Sequence, residues 1–147
     1  TEAENFITKL TFELQLPQSA KIIDLACGKG RHSVFLNKLG YDVLGLDLSR
    51  QSIEHNKQFE NQTLIFDVHD MRNPIDYEPV DAVFNLFTSF GYFDNEEDDK
   101  KVFKSVSNAL KKDGYFVLDY LKPTTLSFFP SLFSDLISSP TSERCRP

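Results

Sequence analysis

Three aspartates, Asp24, Asp47 and Asp70, each fall at or just after the end of a short apolar run. The first opens a glycine-rich turn, Asp24-Leu25-Ala26-Cys27-Gly28-Lys29-Gly30-Arg31. Glycines in such a turn let the backbone bend sharply and let a ligand lie against it with no Cβ in the way. A bare Gly-x-Gly also fits a tight strand-to-helix turn that binds nothing. Its surroundings carry more information. A dinucleotide site takes Gly-x-Gly-x-x-Gly, so that a pyrophosphate can approach the helix N-terminus closely. Here the third position is Ser33. Asp24, four residues before Gly28, would repel a pyrophosphate and attract a ligand that carries positive charge.

A ligand with an ammonium group and a sulfonium suits that turn, and S-adenosylmethionine has both. The other two acids fit the same molecule. Asp47, followed by Leu48 and Ser49, lies 17 residues beyond Gly30, where a carboxylate can accept from both ribose hydroxyls. The same carboxylate could instead help Ser49 start the next helix. NAD-binding folds also place an acid here, so Asp47 points to a nucleoside without naming it. Asp70 could accept from an adenine amino group while Met71 packs on the ring face. Its alternative is a loop carboxylate paired with Arg72.

The elements that must position these residues alternate between short apolar runs and longer amphipathic stretches. Residues 1–16 place Phe6, Ile7, Leu10 and Leu14 at helical spacing, and Pro17 closes that helix. Strands are expected at 22–25, 41–48, 63–68, 80–87 and 115–121. A helix over 31–39 puts Val34, Phe35 and Leu39 on one face. Ser49 caps another running to about residue 60, with Ile53 and Phe59 inward. Residues 96–110 form an amphipathic helix with Val102, Phe103, Val106 and Leu110 inward, ended by Lys111, Lys112 and Gly114. Residues 126–137 read as one more helix. Strands separated by helices of this length need crossovers and hence a parallel sheet. Right-handed crossovers then give an α/β, doubly wound, mostly parallel sheet with helices on both faces. The division expected is an N-terminal helix over 1–20, one ligand-binding domain over 21–137 and an irregular tail over 138–147.

Composition bounds the rest. A chain of 147 residues holds one domain, and 40% apolar with 26% charged residues is ordinary globular content. Its net charge is −6 with no basic stripe, which argues against nucleic acid as partner. Cys27 and Cys145 have no metal-ligand spacing and read as free thiols in a reducing, cytoplasmic setting. No apolar run reaches the ~18–20 residues of a membrane span. The acidic run at 95–99 suits a helix start better than a metal site. His69 is the one histidine near the expected cleft and a candidate general base.

Taken together, these motifs resemble class I S-adenosylmethionine-dependent methyltransferases from about residue 21 to 121. The turn from Asp24 to Arg31 is similar to that family's motif I, Gly45-Leu46-Asp47-Leu48-Ser49 to its ribose motif, and Asp70-Met71 to its adenine motif. Asp81 to Asn85 resembles its fourth strand, which in the family places the methyl acceptor near the sulfonium. Residues 110–116 resemble its turn into strand five. The resemblance implies a Rossmann-like fold and S-adenosylmethionine as cofactor. It implies a cofactor site made of Asp24, Ala26, Cys27, Gly28, Gly30, Arg31, Asp47, Leu48, Asp70, Met71, Asn85 and Phe87. Residues 85–93, aromatic and lacking the paired prolines of base and amide methylating enzymes, look like the branch that methylates small molecules. Their rings could make cation–π contact with the sulfonium, with Phe84 read as core. No catalytic base is implied, since the sulfonium is an activated donor and positioning alone accelerates transfer; Asn85 is a candidate for orienting the acceptor. Members of the family continue past strand five into an antiparallel pair, so this domain is expected to be incomplete at its C-terminus. The competing readings are an NAD-linked oxidoreductase, against which Asp24 and Ser33 speak, and an inactive module that only holds the adenosyl ligand.

Overall fold

The computed structural model describes residues 1–86 and 96–118. Five strands form one parallel sheet in the order β3-β2-β1-β4-β5: β1 Lys21–Leu25, β2 Asp42–Asp47, β3 Leu64–Val68, β4 Val80–Asn85 and β5 Leu110–Leu118. Helices α1 (Glu2–Glu13), α2 (Arg31–Lys38) and α3 (Arg50–Asn56) pack on one face, and α4 (Glu96–Ala109) on the other. Alternation along the strands feeds both layers. Ile22, Val43, Leu64, Phe66, Ala82 and Phe84 face α1–α3, while Ile23, Leu25, Leu46, Val83 and Phe116 face α4. Phe84 is fully buried, as its reading as core required. No helix among the described residues is long and apolar enough to cross a membrane.

Three elements differ from expectation. The second crossover helix stops at Asn56 and tightens into a 3₁₀ turn, Lys57–Phe59. Phe59 is therefore left exposed, and the inward residues are Ile53 and Asn56. On α2 the fully buried pair is Ser33 and Leu36, with Val34 and Phe35 half-buried and Leu39 exposed. Finally, α4 ends at Ala109 and β5 begins at once at Leu110. Leu110 pairs with Val80, the register then shifts, and pairing resumes at Ala82 with Tyr115. Asp113 takes a left-handed φ of +66° inside that shift, and Lys111 Nζ reaches Asp81 Oδ1 at 3.3 Å. The helix expected over 126–137 and the tail from 138 lie outside the described residues.

Candidate active site

Asp24, Asp47 and Asp70 lie at or just after the carboxyl ends of β1, β2 and β3, the edge of a parallel sheet at which ligands bind. The turn after β1 is tied to the end of β2. The Cys27 amide donates to the Leu46 carbonyl (2.9 Å) and the Gly28 amide to Asp47 Oδ2 (2.7 Å). Asp47 Oδ1 accepts from the Ser49 amide at 2.8 Å, so this carboxylate also helps begin α3, whose N-cap is Ser49. Two of its roughly four lone-pair sites are used in this way, leaving acceptor capacity for a diol. Leu48, beside it, is 65% exposed.

Asp24 is buried, and Ser33 Oγ donates to its Oδ2 at 2.5 Å. Burial raises its pKa to about 6; the Ser33 hydrogen bond opposes that rise and the charge of Asp47 adds to it. A carboxylate held in this state gains most from a cationic partner, because a bound ammonium offsets the desolvation. Burial, with Asp24 and Asp47 adding, also pushes the Cys27 thiol up, so it stays a neutral thiol. Ser33, which sequence reasoning weighed only as a missing glycine, is thus the partner of Asp24. The close helix–strand approach comes from β2 instead: a Cβ at Gly45 would meet Ser33 Oγ at 3.0 Å and Phe66 Cδ1 at 2.5 Å.

The two glycines of the turn have different physical reasons. Ala26, Gly28 and Gly30 all have left-handed φ, of +61°, +56° and +78°. A Cβ at Gly28 would meet nothing within 4 Å, which is open space at the strand edge. At Gly30 it would meet the Phe66 ring at 2.9 Å and Asn56 Cγ at 3.0 Å. Only Gly28 therefore has the open approach expected of both. Asn56 was not foreseen; it is wholly buried and its Nδ2 donates to the Gly28 carbonyl at 2.7 Å. A polar residue three places after Ile53 on the inward face of a helix was the signal available.

Asp70 takes the loop alternative. Both its oxygens accept from Arg72, at 3.0 Å from Nε and 2.6 Å from Nη2, and Arg72 Nη1 reaches Asp98 on α4 at 3.4 Å. These bonds hold the Asp70 carboxyl below its usual range. Met71 packs at the edge of the α4-side core. His69 donates through Nε2 to the Asn73 carbonyl at 3.1 Å, a turn contact rather than a base poised in a cleft. Arg31 lines a groove of about 270 Å³ with Glu4, Lys29, Val34, Lys38 and His55. Asn85 ends β4 fully buried, and neither polar atom of its side chain has a hydrogen-bond partner among the described residues. Phe87 and the aromatic run after it lie outside the described residues.

An acid, a left-handed glycine turn and a second acid on the next strand thus meet at the carboxyl edge of the sheet. The family described as methyltransferase domain matches residues 17–142. The chain belongs to that family. YqeM of Bacillus subtilis is 36% identical over 110 residues, which are 73% of this chain and 44% of that protein. The glycine/sarcosine N-methyltransferase of Aphanothece halophytica is 36% identical over 106 residues, 67% of this chain and 39% of the relative. The chain thus spans under half the length of these curated relatives. A solved TehB-like methyltransferase from Corynebacterium glutamicum superposes with a TM-score of 0.70 at 26% identity, over 86% of this chain and 67% of that chain. The parallel five-stranded sheet of this domain is accordingly the class I, Rossmann-like methyltransferase core.

Proposed function

We propose that the protein transfers a methyl group from S-adenosylmethionine to a small-molecule acceptor. The observation that carries this reading is the buried Asp24 carboxylate beside the open Gly28 turn, with Asp47 on the neighbouring strand. In it, Asp24 takes the methionine ammonium, Gly28 leaves room for the ligand backbone, and Asp47 with Leu48 takes the ribose and the ring beside it. Asp70 takes the adenine amino group only if Arg72 gives up part of its hold, while Met71 flanks the ring. Asn85, whose amide has no hydrogen-bond partner among the described residues, orients the acceptor. Bound there, the cofactor would supply an electrophilic methyl group to an O, N or C nucleophile, with S-adenosylhomocysteine as the leaving group. Amines are the first acceptors to assay, given the glycine/sarcosine N-methyltransferase among the relatives. A net charge of −6 and thiols without metal-ligand spacing support a cytoplasmic enzyme that does not act on nucleic acid.

The test is calorimetric titration with S-adenosylhomocysteine, with NADH as control ligand. Saturable binding of the adenosyl compound alone is expected. Asp47→Ala removes charge-assisted hydrogen bonds to the diol, each worth about 1.5–3 kcal/mol, so affinity should fall at least ~10-fold. Binding of NADH in place of S-adenosylhomocysteine would sink the reading.

A further inference from the structure

The peptide of Gly28 is held from both sides. Its N–H donates to Asp47 Oδ2 and its carbonyl accepts from Asn56 Nδ2, each at 2.7 Å. Asn56 is the last residue of α3, wholly buried, with Nδ2 also 3.9 Å from Cys27 Sγ. Its Oδ1 has no hydrogen-bond partner among the described residues. A buried carbonyl oxygen left unpaired costs free energy that an apolar side chain of similar size would not incur. Packing alone therefore gives no reason for an amide here. What the amide adds is a donor to Gly28, and rotating it by a half-turn would set two oxygens against each other. The turn needs such a restraint, because Ala26 is a non-glycine residue at φ +61° and such a conformation persists only where its surroundings over-determine it.

We infer that Asn56 is a positioning residue for the cofactor: anchored at the end of α3, its amide fixes the Gly28 carbonyl so that the open side of Gly28 stays presented to the ligand. This rests on the cofactor reading above and deepens it. The helix that starts beside the ribose acid also sets, from its other end, the turn under the ligand. Asn56→Asp keeps the shape but places a carboxylate oxygen against the Gly28 carbonyl, and protonating that carboxylate restores a donor. The titratable or charged groups near position 56 include Cys27, on which Asp24 and Asp47 act, and the chain neighbours His55 and Lys57, all shared with the unaltered protein.

The experiment titrates S-adenosylhomocysteine into the full protein, Asn56→Ala and Asn56→Asp at pH 5.5 and 8, with circular dichroism to establish folding. Affinity should fall about 10-fold in Asn56→Ala, by a ratio to the unaltered protein that does not change with pH. In Asn56→Asp it should fall by at least as much at pH 8, and that ratio should narrow at pH 5.5. Folded variants that bind as tightly as the unaltered protein overturn the inference, and so does an Asn56→Asp ratio that ignores pH. Should neither variant fold, the side-chain amide resonances of Asn56 in the unaltered protein decide. They should move together with the Gly28 amide when the ligand is added; if they stay still while Gly28 moves, the inference fails. No binding by the unaltered protein itself removes the cofactor reading, and this inference with it.

Discussion

Asp24→Asn is expected to abolish binding of S-adenosylhomocysteine and to remove a pH dependence of stability that the unaltered protein carries. The carboxyl titrates at about 6 in the folded chain, chiefly through burial, against about 3.9 in an unfolded one. Between those values the folded state binds more protons than the unfolded state. Stability contributed at this site therefore falls as pH rises from about 4 to 6, and the penalty is complete above 6. A shift of this size corresponds to about 2–3 kcal/mol. Urea unfolding of both proteins from pH 4 to 8 should show their stability difference changing by about that amount, with the variant no less stable than the parent above pH 7. Ligand affinity of the parent should rise over the same window, as the carboxylate forms to meet the ammonium. A stability difference that is flat across pH would mean that Asp24 is not the buried acid described.

Gly45→Ala should produce the second large effect, this time on the fold. Its Cβ would sit 2.5 and 2.7 Å from Phe66 carbons and 3.0 Å from Ser33 Oγ, closer than packed atoms tolerate. Phe66 is fully buried. Overpacking of this kind costs about 1–3 kcal/mol. Phe66→Leu, itself destabilising, should recover part of the loss when combined with Gly45→Ala. A double-mutant cycle by urea unfolding reads this directly, since contacting residues depart from additivity. Strictly additive losses would show that the ring is not what Gly45 makes room for. The same ring fills the Cβ space of Gly30, so one phenylalanine on the third strand accounts for a glycine in the second strand and another in the ligand turn.

How much of this was legible beforehand follows from which forces local sequence records. Apolar runs and their spacing record burial by layer, so the five strands and four helices of the described residues were placed, most ends within a residue or two. Asp24 and Asp47 were found because a carboxylate at a strand end beside a glycine turn is a local pattern. Asn56 and Ser33 were not read as buried, because polar residues do not register in an apolar periodicity. Their reasons, the Gly28 carbonyl and the Asp24 carboxylate, lie 28 and 9 residues away. Gly30 looked like ligand space because the ring that fills it arrives from β3. For Asp70 both readings were visible in three consecutive residues, and the bidentate fit of a guanidinium two places on settles the ligand-free geometry.

The strand order bears on how the chain is made. β1 is the middle of the sheet, yet one of its two neighbours, β4, is synthesised roughly fifty residues later. At about 5–20 residues per second, β1 waits about 3–11 seconds and β3 about 1–3 seconds before β4 emerges from the ribosome. In that interval α1, α2 and α3 can cover one face of the nascent sheet, while Ile23 and Leu25 lack α4 and the inner edge of β1 has unpaired amides and carbonyls. An unpaired apolar edge is a template for pairing with other chains. Nascent chains stalled between β3 and β4 should therefore depend on chaperones, and that dependence should end only once both β4 and α4 have been released.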